Sequence, residues 1–209
     1  MSKANGGVRS KTGGLGRDGG GAYDGSLLNE ESLSAISDRA LRRDIQQGIS
    51  KFESRLGIRQ RKVKLAELEG AYGVHVTASD GRGNMVSQGV FLDSNTFKNA
   101  TKEQIVKNKL EAYKSGFSTK TNKPSQHTVV HELAHATWNN HLTGKKYKDA
   151  GREINKLYRS FLRESPSGFG SYSRYNVNEF FAEGITKHVL GKSDKYTKAL
   201  RKIVKDNNL

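Results

Sequence analysis

Cysteine is absent from the 209 residues, proline occurs twice and tryptophan once. Without thiols the chain forms no disulfide and no thiolate metal site, which leaves His, Asp and Glu as candidate metal ligands. Acidic residues are scarce: 21 Asp and Glu stand against 36 Lys and Arg, for a formal net charge of +15. That balance favours polyanions such as nucleic acid, acidic proteins or acidic membrane surfaces. The candidate patches are Arg59, Arg61, Lys62 and Lys64, then Lys195, Lys198, Arg201, Lys202 and Lys205. Hydrophobic residues make up 33%, low for a globular chain. No apolar run is long enough to cross a bilayer, and the first seven residues lack the hydrophobic stretch of a secretory signal. No membrane span is expected, and the location implied is cytoplasmic.

What is present centres on Thr128-Val129-Val130-His131-Glu132-Leu133-Ala134-His135-Ala136. It contains H-E-x-x-H. On an α-helix, residues i and i+4 share a face, so His131 and His135 can offer two imidazoles to one Zn2+ ion. Glu132, about 100° round the helix, is placed to act as general base on a metal-activated water. Val129, Leu133 and Ala136 fall on the opposite face with Val130 beside them, which predicts a helix with an apolar back and a metal-binding front.

Residues 1–27 are rich in Gly, Ser, Lys and Arg without periodicity and read as a flexible basic tail. Residues 28–209 read as one domain. Ser32 to Leu56 has apolar residues at three- and four-residue steps, a helix that Ser37-Asp38 would split and Gly57 would cap. Residues 61–93 read as strands, with Ser79–Asn84 a turn and Met85–Leu92 a strand that would form the edge of a cleft. His75, amid strand residues, reads as structural. Further helices are expected over Lys102–Tyr113, from Pro124 with Ser125 as N-cap, and over Tyr147–Arg163, Asn176–Leu190 and Ser193–Asp206. Strands followed by helices define an α+β class.

A catalytic zinc usually has three protein ligands and one open position. Two candidates compete for the third. His141 completes a His131…His135…His141 spacing, which needs the helix to break sharply after His135. A continuous helix would carry His141 about 9 Å along its axis and about 120° away, and Trp138 stands where a glycine would ease the break. The second candidate lies in Asn178-Glu179-Phe180-Phe181-Ala182-Glu183. Glu179 and Glu183 share a helix face. One could ligate the metal while the other accepts the Nδ1–H of a ligand histidine. Glu179 also fits the third helical position of a capping box begun by Asn176, with Val177, Phe181, Gly184 and His188 as the inward stripe.

The run Ser171-Tyr172-Ser173-Arg174-Tyr175-Asn176-Val177-Asn178-Glu179-Phe180-Phe181-Ala182-Glu183 resembles the third-ligand region of the lethal-factor-type zinc metallopeptidases. The resemblance implies a zincin-like fold, with a small N-terminal sheet packed on the metal helix and a helical C-terminal part. It implies Glu179 as third ligand and Tyr172, seven residues earlier, as oxyanion stabiliser or proton donor. The chain also resembles zincin-like domains of bacteriophage proteins, which adds a virion-associated location to the cytoplasmic one. The toxins' receptor-binding and exosite domains have no counterpart here, which leaves the substrate open. The function expected is zinc-dependent endopeptidase. Its alternative is a basic, phage-associated structural or nucleic-acid-binding module whose metal site is structural or vestigial.

Overall fold

The structure is a computed structural model and describes residues 28–59, 62–79, 85–139 and 145–209. The expected tail over 1–27, the turn tip at 80–84 and His141 lie outside the described residues.

The class is α+β. Four strands form one sheet: β1 (Glu31–Ser32), β2 (Val63–Ala66), β3 (Gly73–Ser79) and β4 (Met85–Asp93). Their lateral order is β1-β2-β4-β3. β1 runs antiparallel to β2, β2 parallel to β4, and β3 antiparallel to β4. β4 is therefore an inner strand, paired on both sides, and the edge strands are β1 and β3. This corrects the expectation for residues 85–92. Alternation along a strand reports its faces and not its lateral neighbours; here the parallel β2–β4 pairing places β4 inside. A register shift falls between Val76 and Thr77 of β3.

The sheet buries both faces through strand alternation. Val63, Leu65, Val90 and Leu92 join the main core with the helices, while Ala66, Val74, Val76 and Phe91 build a smaller cluster on the far side. His75 belongs to the sheet, with Nε2 2.8 Å from Ser87 Oγ.

α1 (Arg39–Leu56) starts where Asp38 accepts hydrogen bonds from the Ala40 and Leu41 amides, and it stops at Gly57 in the left-handed region, φ 74°. The first residues of the expected helix instead form a 3-10 turn, Leu33–Ala35. After the single turn α2 (Ser94–Phe97) comes α3 (Lys102–Lys114), whose N-terminus carries a Thr101/Gln104 capping box. A 3-10 turn, Pro124–Gln126, leads into α4 (His127–Asn139). Ser125 does not cap it: its hydroxyl donates to Asp44 Oδ2 of α1 at 2.6 Å. That long-range acceptor competes with the local cap geometry that sequence suggests. α5 (Lys145–Glu164), α6 (Val177–Leu190) and α7 (Lys195–Asn207) complete the chain.

α4 and α6 are the central pair, and every described α4 side chain is buried. α6 is buried on all sides from Glu179 to Leu190, so its face opposite the Val177 stripe is covered as well. The cover is α4. Among the described residues no helix is long and apolar enough to cross a membrane.

Candidate metal centre

α4 places three histidines on one stripe: His127, His131 and His135, each one turn from the next. Val129, Val130, Leu133 and Ala136 fill the core behind them. α6 begins at Asn176, whose side-chain oxygen accepts the Glu179 amide at 2.9 Å. The cap uses only the backbone of Glu179. Its carboxylate turns to α4 instead of back to Asn176, as the reciprocal half of a capping box would require.

The two helices pass in opposite directions, so the acids of α6 interleave with the imidazoles of α4. Glu179 Oε2 lies 3.2 Å from His131 Nε2 and 3.3 Å from His135 Nε2. The two Nε2 atoms are 3.1 Å apart. Three donor atoms thus form a nearly equilateral triangle. Ligands of a tetrahedral ion stand about 1.63 bond lengths apart, so bonds of about 2.0–2.2 Å to zinc need donors about 3.3–3.6 Å apart. The triangle is within about 0.2 Å of the short end of that range and could hold one such ion. His131 is fully buried, whereas His135 and Glu179 keep 7% and 4% of their surface in solvent.

Glu183, one turn further along α6, sits between the other pair of rings. Its Oε1 is 3.3 Å from His131 Nδ1 and 3.3 Å from His127 Nε2, and its Oε2 accepts the Thr119 amide at 2.7 Å. His127 Nδ1 is 2.9 Å from the Tyr113 hydroxyl, which is 2.8 Å from Thr121 Oγ1. A buried polar chain therefore runs Thr121–Tyr113–His127–Glu183–His131. His127, His131 and Glu183 also lie close enough to hold an ion. That triple shares His131 with the first, and its carboxylate is already engaged by the Thr119 amide.

The imidazoles of α4 keep both acids of α6 ionised. Burial alone would raise the Glu179 carboxyl, but hydrogen bonds and charge from His131 and His135 outweigh it and hold the group at about 2. Burial opposes ionisation of Glu183 as well; His127 first and then His131 keep it well below the usual carboxylate range.

Glu132 is buried at 1% exposure. It passes against the start of β3, where Gly73 makes room: a Cβ on Gly73 would come 2.8 Å from Glu132 Cγ and 3.0 Å from Thr128 Cγ2. Tyr172 lies in the 3-10 turn Ser171–Arg174. Its amide donates to Phe117 O at 3.0 Å, and the Ser171 amide donates to Gly116 O at 2.8 Å. Gly170 permits this approach, since a Cβ there would fall 2.3 Å from Phe117 O. The Tyr172 ring stacks between Phe117, at 5.0 Å, and His131, at 6.0 Å. A cavity of about 140 Å³ opens beside these groups, walled by Tyr72, Phe97, Ile105, Ala112, Phe117 and Thr128.

Of the residues singled out in the sequence, the structure brings His131, His135, Glu179 and Glu183 together and stacks the Tyr172 ring on His131, while Glu132 follows His131 on α4 and packs against Gly73 of β3. α4 runs on through Trp138, whose indole N–H donates to Asn178 Oδ1 at 2.9 Å, so the helix does not break there. Sequence reading missed His127. The signal was available as a third histidine four residues before His131; its partners become visible only when α3 and α6 pack on α4. Comparison with family models, with curated proteins and with solved structures finds no match.

Proposed function

We propose that this chain is a zinc-dependent endopeptidase of zincin-like fold. The observation that carries the reading is the triangle of His131 Nε2, His135 Nε2 and Glu179 Oε2, with edges of 3.1–3.3 Å, beside Glu132. Two imidazoles and one carboxylate make three protein donors, the number of a hydrolytic zinc site rather than the four of a closed structural one. When bound, the ion supplies Lewis acidity, acidifying water and polarising a carbonyl.

The chain's own residues then divide the work. Glu132 takes a proton from water as the water oxygen bonds to the peptide carbonyl carbon, and delivers it to the amide nitrogen as the C–N bond breaks. Tyr172, held by its stack on His131, donates a hydrogen bond to the developing oxyanion. Glu183 fixes the orientation of the His131 ring through Nδ1. β3 offers a substrate its outer edge, and the neighbouring cavity takes a side chain. At about 140 Å³, with Phe97, Ile105 and Phe117 in its wall beside Asn108, Lys109 and Glu111, the space is sized for one side chain.

Zinc content together with cleavage of casein or a peptide library tests the reading, with Glu132→Gln as control. That variant should retain zinc, because Glu132 is outside the triangle, and lose about 10²–10⁴-fold in hydrolysis. Undiminished cleavage by Glu132→Gln would remove the mechanism. Zinc bound without any cleavage in the parent chain would favour a structural module.

A further inference from the structure

The net charge of +15 is not spread evenly once ion pairs are drawn. Within the patches expected from sequence, Lys64 pairs with Glu30, Lys195 with Glu164 and Lys202 with Asp206, and Arg61 lies outside the described residues. α5 is different. Lys148, Arg152, Lys156, Arg159 and Arg163 recur at steps of four, four, three and four residues. At 100° per residue they fall within an arc of about 80°. Ala150, Ile154 and Phe161, on the other side of the helix, are fully buried, so the basic arc faces outward. Among the described residues only Arg152 of the five has a carboxylate within ion-pair distance, that of Asp149.

These five side chains line a groove of about 830 Å³ that runs along α5 to Trp138 at the end of α4. From Lys148 to Arg163 the stripe rises about 22 Å, at roughly 4.5–6 Å per step. Cations laid out in a line do not converge on one small anion. They match a linear polyanion whose charges also repeat. Trp138 is 5% exposed and its indole N–H is committed to Asn178, so the groove has charge without an aromatic platform for bases.

We propose that the α5 groove binds the phosphodiester backbone of nucleic acid without sequence preference, at a site separate from the metal centre and independent of its reading. Neutralising phosphates in such a groove releases counterions, so affinity falls steeply with salt.

The test is fluorescence anisotropy of a labelled 20-base-pair duplex with the full chain between 50 and 200 mM salt. The triple variant Lys156→Glu, Arg159→Glu, Arg163→Glu is compared with Lys198→Glu, Arg201→Glu, Lys205→Glu on α7, which changes net charge equally. Loss of three phosphate contacts should lower the log–log salt slope by about 2.7, from about 0.9 per contact. The α5 triple should bind at least tenfold more weakly than the α7 triple. Circular dichroism checks folding, and the neutral Gln triple on α5 replaces the Glu triple should that one unfold. Absence of binding by the parent chain at low salt would overturn the proposal. So would equal losses in the two triples, which would make net charge the only cause. Displacement of the duplex by polyglutamate as readily as by unlabelled DNA would assign the groove to acidic proteins instead.

Discussion

Gly73→Ala isolates the placement of Glu132 from its chemistry. The added Cβ would stand 2.8 Å from Glu132 Cγ, whereas ordinary contact begins at 3.4 Å. The neighbour must therefore yield by about 0.6 Å. Thr128 Cγ2, at 3.0 Å, blocks one direction of escape, because it belongs to the same buried helix one turn back. The strand cannot retreat freely either, since the paired residues Gly73 and Leu92 tie it to β4. The displacement thus falls on the Glu132 side chain. Misplacing a catalytic group by about 1 Å can cost about 100-fold, so kcat/KM for a peptide should drop about tenfold to hundredfold. Overpacking of this kind also costs about 1–3 kcal/mol of stability. Gly73 touches none of the three atoms of the triangle, so zinc stoichiometry should not change. Peptide kinetics, metal analysis and a thermal melt on the same preparation separate these effects. Full activity in a folded Gly73→Ala would refute the placement of Glu132 against β3, and loss of zinc would show that the strand supports the metal centre itself.

Glu179→Ala should abolish tight zinc binding and His141→Ala should retain it, measured by competition with a chromophoric chelator; the reverse pattern would reject the donor set. Tyr172→Phe should keep zinc and lower kcat more than it raises KM. Glu183→Ala should weaken zinc by about 10–100-fold, because the His131 ring loses its orienting partner, and unaltered affinity would deny Glu183 that part. Asp194→Ala should cost about 0.5–2 kcal/mol in chemical denaturation near neutral pH, since Asp194 caps α7 and also takes Lys187 Nζ at 2.7 Å. Burial opposes the Asp194 charge, but Lys187 and the Thr197 amide hold its carboxyl below the usual aspartate range. A depressed folded-state pKa gives stability that is present above the unfolded value and lost as pH falls through the folded one. The gap between parent and variant should therefore close below about pH 4.

Periodicity and caps made the helices legible. Asp38 and Gly57 bound α1, and Asn176 opens α6, because capping is a local negotiation between a side chain and the next few amides. The H-E-x-x-H stripe and the Glu179/Glu183 pair were legible for the same reason: a helix converts spacing into direction. What could not be read is lateral. Nothing along residues 85–93 says that β2 will pair beside them and bury β4 inside the sheet. Ser125 has the composition of a cap, yet Asp44, 81 positions earlier, takes its hydroxyl. α6 shows an apolar stripe but no sign that its acidic face is buried too, because that cover comes from the imidazoles of another helix. His127 escaped for a related reason. Its role is defined by Tyr113 and Glu183, two residues brought to it by separate elements.

On the proposed reading, the outer edge of β3 bears on what kind of protein could serve as substrate. The outer edge of β3 begins at Gly73, against Glu132, and its first four residues, Gly73–Val76, pair in unbroken register with β4 before Gln88 of β4 is skipped, a run of about 14 Å at about 3.4 Å per residue. A partner laid along that run must itself be extended for about four residues, with its backbone amides and carbonyls uncommitted. Helices and inner strands do not meet that condition, while linkers, frayed ends and nascent chains do. On the proposed reading, selection would then be exercised by the foldedness of the target before its side chains are consulted.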